Sequence, residues 1–112
     1  MQETIPFQNL ITELRRGSIT MAVLSCLHKP HYGYALLQTL QGTGISIDAN
    51  TLYPLLRRLE SQGLLTSDWD TTESRPRKYY TINKTGKEAL SLLISEWEHM
   101  QRSMIKISEE AK

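Results

Sequence analysis

Asn50 and Arg57 stand seven residues apart in "ANTLYPLLRRLESQG" (49–63), a spacing that puts them on one side of a helix. An amide and a guanidinium so placed can make paired hydrogen bonds to an adenine edge and a guanine edge respectively. Thr51, Tyr53 and Arg58 flank them and carry the hydroxyls and charge that clamp phosphates. A second set of cations lies in "ESRPRKYY" (73–80), where Arg75, Arg77 and Lys78 fall within four residues beside the stiffening Pro76. Asp68, Asp70 and Glu73 dilute this patch. Tyr79 and Tyr80 alternate, so one packs inward and the other is available to a sugar or phosphate. Taken singly, each set also fits a blander role, a solvated arginine pair or an edge strand protected by charge.

Other chemistry is poorly provided for. Cys26, His28 and His31 are close in sequence, but their i, i+2, i+5 spacing does not gather three ligands on one helix face, so no metal site is expected. Cys26 lies on an apolar face, where burial makes a thiol inert. There is no phosphate-binding glycine loop, and serine and histidine occur without a placed acid. Neither catalysis nor a cofactor is expected.

The elements that must position the polar residues can be read from apolar spacing. Leu52, Leu55, Leu56 and Leu59 form the stripe of an amphipathic helix, opposite Asn50, Pro54, Arg57 and Ser61. Pro54 is out of place in a helix interior. Near a helix start some amides lack partners anyway, which predicts a cost well below the ~3 kcal/mol of a central proline and a stiff turn able to approach a groove wall. Asp48 is a candidate cap for this helix and Gly63 its left-handed terminator. Upstream, Phe7, Leu10, Ile11 and Leu14, continued by Ile19, Val23, Cys26 and Leu27, predict a helix over 7–28 with Gly17 as a soft point. "KPHYG" (29–33) breaks the chain, and "YALLQTLQG" (34–42) is a short helix. "LLTSDWD" (64–70) and "RKYYTIN" (77–83) flank the polar "TTESRP" and predict a hairpin. Residues 83–112 form one long helix, frayed at its end.

The fold class is therefore mainly α with a small β-hairpin. The element order is that of a winged helix-turn-helix, in which the later of two short helices is presented to a partner beside a hairpin wing. We expect that unit over 1–84 and a C-terminal dimerisation helix over 85–112, part of the same compact body. Leu90, Leu93, Trp97, Met100, Met104 and Ile107 are spaced 3, 4, 3, 4, 3, an a/d seam that a partner helix must cover. Leu92, Ile94 and Ile105 lie off the seam and are candidates for the chain's own core, while Phe7, Leu10 and Leu14 can dock across the dimer.

Totals bound these expectations. The 112 residues suit one compact domain, 39% are apolar and 22% charged, and the net charge is only +1, so any attraction for a polyanion is local rather than global. A lone cysteine excludes an internal disulfide and fits a reducing compartment. "MQETIPFQNL" does not read as a signal peptide, and "ITMAVLSCL" is too short to span a bilayer; a cytoplasmic protein without membrane association is expected.

"HYGYALL" (31–37), "TLYPLLRRLESQGLL" (51–65) and "RPRKYYTINKTGKEAL" (75–90) together resemble the PadR family of bacterial transcription regulators, in its short-tailed branch with a single closing helix. The resemblance implies a homodimeric repressor on duplex DNA, released by a signal that is often an aromatic or lipophilic small molecule. It implies Tyr34, Thr51 to Pro54, and Arg75, Arg77 and Lys78 at or near DNA. Drug-sensing members resemble this chain in carrying a tryptophan on the last helix, which implies a flat ligand stacked on Trp97, with Met100 beside it. "HYGY" departs from the family pattern by an extra aromatic, so either Tyr32 or Tyr34 can be the phosphate contact. The competing expectation is a winged helix that docks a protein without reading DNA sequence.

Overall fold

The computed structural model describes residues 6–111; residues 1–5 and 112 of the expected domain bounds lie outside the described residues. The chain runs α1 (Gln8–Cys26), β1 (His31–Tyr32), α2 (Gly33–Gly42), α3 (Ala49–Ser61), β2 (Leu65–Asp70), β3 (Arg77–Ile82) and α4 (Lys84–Glu110). It is a mainly helical winged helix-turn-helix with a small antiparallel sheet.

All four leucines of the α3 stripe are buried, which is why the segment is a helix despite its proline. Asp48 caps it, its Oδ1 accepting from the Thr51 amide at 2.9 Å. Gly63 ends the turn that follows at φ +79°, a conformation side chains resist. Pro54 is not among the unpartnered first-turn amides as expected, for the helix begins at Ala49 and the proline is its sixth residue. What its ring removes is the amide that would bond the Asn50 carbonyl. Both residues are exposed, so the loss of that internal partner on the helix surface is mild.

The sheet order is β1-β3-β2, all antiparallel. The sequence predicts only a hairpin; the third strand is the two-residue β1, His31 and Tyr32 opposite Tyr80 and Tyr79, inside the expected break. A strand of two residues has no alternation to read. Leu65, Tyr80 and Ile82 face inward onto Leu36 and Leu40 of α2, the α3 leucines and Val23, Leu24 and Leu27 at the end of α1 and just beyond it. α1 passes through Gly17 without a break.

Asn83 caps α4, accepting from the Gly86 amide at 2.8 Å. The first turns of α4 belong to the core. Leu90 is 5% exposed there, which removes it from the residues expected on a dimer seam. Ile94 packs against the core as expected, but Leu92 and Ile105 are exposed and do not. Beyond Ile94 the helix leaves the body, and the radius of gyration, 16.8 Å, exceeds the ~13 Å of a compact chain this long.

Candidate nucleic-acid interface

With its leucines turned inward, α3 presents Asn50, Thr51, Pro54, Arg57 and Arg58 to solvent. The ion pairs among the described residues engage neither arginine. Both are therefore available to an outside acceptor. Tyr53 departs from its expected role as a free flank. Its half-buried ring lies on Gly33, at the start of α2, where any side chain would collide with it. A Cβ at this position would force the Tyr53 ring to shift, so glycine lets the two helices approach this closely.

The wing stands beside this face, and its register sorts the side chains. Leu65, Ser67 and Trp69 oppose Ile82, Tyr80 and Lys78, on the side that packs toward α3. Asp70 opposes Arg77, and Asp68 opposes Tyr79, on the outer side. Adjacent cations thus start from opposite faces of the strand, although Arg77 and Lys78 both line the groove beside Tyr34 and Trp69. Lys78 Nζ lies 3.1 Å from Glu60 of α3 and 5.1 Å from the Tyr80 ring centroid. Ser67 donates to the same glutamate, the largest cause holding its carboxyl below the usual range, with Lys78 adding to it. Lys78 ties the wing to the helix as well as adding charge. Arg77 sits over the Tyr32 ring at 5.2 Å and only loosely near Glu73, at 3.9 Å. Arg75 is exposed in the loop between the strands.

On the outer side, Tyr32 and Tyr79 stack with centroids 4.3 Å apart. The hydroxyls lie 3.0 Å from each other and reach Asp70 Oδ2 at 2.8 Å from Tyr32 and 3.2 Å from Tyr79, so two phenol protons are shared among three contacts. Asp70 Oδ1 accepts from the Thr72 amide at 3.0 Å and from its hydroxyl at 2.7 Å. These bonds, Thr72's first, hold the Asp70 carboxyl down to about 2. The bonds to Tyr79 and Asp70 hold the Tyr32 phenol well above its usual range. Tyr79 is thus engaged rather than free for a sugar or phosphate, and so is Tyr32. Tyr34, by contrast, is 64% exposed on the first turn of α2. It lines a groove between α2, α3 and the wing, together with Gln38, Tyr53, Trp69, Arg75 and Lys78.

Residues 23–92 match the model of the transcriptional regulator PadR-like family, which spans more than half of the chain. The chain belongs to that family. A PadR family transcriptional regulator from Eggerthella lenta is 49% identical, with a TM-score of 0.86 over 91% of each chain. A PadR family regulator from Clostridium difficile is 27% identical, with a TM-score of 0.74 over 80% of this chain and 97% of that one. The transcriptional regulator Rv3488 of Mycobacterium tuberculosis is 32% identical over 80 residues, 70% of this chain and 75% of that protein. This is a family of transcription regulators, not of enzymes.

In this PadR-like chain Cys26 is half-buried, and burial pushes its thiol up, away from reactivity. No His, Cys, Asp and Glu side chains gather as a metal site among the described residues, and no helix among them is long and apolar enough to cross a membrane. Sequence reasoning missed two groups near α3. One is Trp69, 63% exposed on the α3 side of the wing, which strand alternation with Leu65 and Ser67 could have found. The other is Arg15 and Arg16 of α1, which share a groove with Thr51.

Proposed function

We propose that this chain acts as a homodimeric repressor, with α3 in the major groove of a pseudo-palindromic operator and the wing on the adjoining backbone. The observation that carries this reading is the row Asn50, Thr51, Arg57 and Arg58, held outward by four buried leucines, with neither arginine in an ion pair among the described residues. Asn50 and Arg57 read base edges in this reading. Thr51, Arg58, Tyr34, Arg75 and Arg77 grip phosphates, Lys78 does so as far as Glu60 allows, and Tyr53 and Pro54 shape the approach.

Dimerisation rests on the part of α4 that leaves the core. Trp97 is 45% exposed and Met104 58%, and Leu93, Met100 and Ile107 are exposed with them. So are Phe7, Leu10 and Leu14 at the start of α1. A patch of this size asks for a partner, and a second copy places two α3 helices one DNA turn apart, ~34–36 Å. The unit over 1–84 then reads DNA while 85–112 assembles the dimer. Trp97 and Met100 line an open groove of ≈ 610 Å³ with Leu14 and Met104, which suits a planar lipophilic effector whose binding releases the operator. A repressor of this kind works in the cytoplasm.

The test is a salt titration on duplex DNA with wild type and Arg57→Ala. We expect affinity to fall steeply with salt for both proteins, and preference for the operator to weaken, by ~1–3 kcal/mol at one base position, only in the variant. Binding that ignores salt, or an unchanged preference in the variant, overturns the reading. Quenching of Trp97 by a planar lipophilic cation, in a Trp69→Phe background, tests the effector; no quenching at saturating dye removes it.

A further inference from the structure

The major groove has two walls, about 12 Å apart, and the wing can serve only one of them. α3 has a groove on each flank. The Tyr53 flank opens onto Tyr34, Trp69 and Arg75, the side of the wing. The Thr51 flank opens onto a groove of ≈ 530 Å³ between α1 and the connection into α3, lined by Gln8, Thr12, Arg15, Arg16, Ser46 and Thr51. Its polar side chains recur along one face of α1, from Gln8 through Thr12 to Arg15 and Arg16. Ile19, three residues after Arg16, packs against the core, and Val23 and Leu24 are fully buried. The arginines therefore stand within about a turn of an anchored segment.

We propose that Arg15 and Arg16 form a second phosphate clamp, which grips the DNA backbone on the wall opposite the wing. The proposal rests on the DNA reading above and extends its footprint to a helix outside the helix-turn-helix pair. Charge decides the occupant. Both arginines are exposed and enter no ion pair among the described residues, although Glu13 is only three residues from Arg16. The one acid lining the groove, Asp48, already accepts the Thr51 amide at 2.9 Å. Two guanidiniums, with Thr12, Ser46 and Thr51 hydroxyls around them, suit the fork geometry of a phosphate diester. The groove shares Thr51 with the α3 reading face, so a duplex seated on α3 brings its backbone to these residues without any change of fold.

The experiment compares salt slopes for wild type, Arg15→Ala/Arg16→Ala, Arg15→Lys/Arg16→Lys and Arg57→Ala on operator and non-specific duplex. The alanine pair is expected to lower the slope by about 0.9 for each phosphate no longer gripped, equally on both duplexes. The lysine pair keeps a cation at each site and should restore most of the slope, which a merely structural role would not predict. Phosphate ethylation at the backbone beside the Thr51 end of α3 should impair wild type and leave the alanine pair indifferent. An alanine pair with wild-type slope, while Arg57→Ala weakens operator preference, overturns the clamp and leaves the DNA reading intact. A wild type that shows no salt-dependent duplex binding removes the DNA reading, and the clamp with it.

Discussion

α3 and α4 carry the same kind of apolar stripe and use it in opposite ways. In α3 the four leucines are all inside the chain, and what remains outside is polar and cationic. In α4 only Leu90 of the stripe is inside; from Leu93 onward it faces out. One helix thus exposes a polar and cationic face, the other an apolar one. Spacing alone cannot tell the two cases apart, because 3.6 residues per turn produce a stripe whatever lies across from it. What decides is whether the chain has enough other elements to cover the helix. α3 is short and enclosed by α2 and the sheet, whereas α4 is 27 residues long and outruns them.

The comparison is broken most forcefully at Trp97. Trp97→Asp places two unpaired charges in the proposed seam, and loss of a tryptophan anchor there should weaken assembly by ~4 kcal/mol or more over two copies. On the proposed assembly, sedimentation is expected to show dimer for wild type and monomer for the variant, with helical content retained, since the residue lies outside the chain's own core. A persistent dimer would mean that α4 is not the seam. The same treatment of α3 should have the reverse result. Leu56→Ala opens a cavity in a fully buried position and should cost ~2–5 kcal/mol in denaturant unfolding of the protomer.

On the polar side, the effects are smaller and differ in kind. Arg57→Ala should cost ~1–3 kcal/mol of discrimination at one base position while leaving the non-specific salt slope nearly unchanged. Arg75→Ala should do the opposite, lowering the slope by about one for each phosphate it releases, with no change in base preference. Competition binding with single-base operator variants separates the two. If both variants behave alike, the division between a reading helix and a gripping wing fails.

Much of this is legible in the sequence, for identifiable reasons. The α3 stripe, its Asp48 cap, the Gly63 terminator and the hairpin are local, and local signals survive folding. Long-range consequences are not legible. Leu90 obeys the heptad spacing but is claimed by the core, while Leu92 and Ile105 have the spacing of core residues but face out, because neither fact depends on the helix alone. β1 is too short to carry a pattern. Tyr53 offers a free hydroxyl on a helical projection, and only the approach of α2 at Gly33 shows where its ring lies. Arg15 and Arg16 give no signal at all, since a pair of arginines on a helix is ordinary until the tertiary fold sets it beside Thr51.

The smallest effect distinguishes the two tyrosines of "HYGY". Tyr32 and Asp70 join the strand before α2 to the base of the wing loop, whereas Tyr34 faces outward. Asp70 is held at about 2, below its ordinary 3.8, so its contribution is present above the unfolded carboxyl range and is lost as pH falls from about 4 toward 2. Tyr32 is shifted the other way, above its ordinary 10.0, so its proton is kept longer in the folded chain. That contribution is present below pH 10.0 and is lost as pH rises beyond it. Tyr32→Phe keeps the stack on Tyr79 but removes the hydroxyl, so the alkaline fall in stability should become shallower than in wild type. The acid fall should largely remain, because Asp70 retains its two bonds from Thr72. Tyr34→Phe should weaken duplex binding, which Tyr32→Phe should not. A variant pair that exchanges these outcomes would assign the phosphate contact to Tyr32 and the wing latch to Tyr34, against the geometry of both hydroxyls.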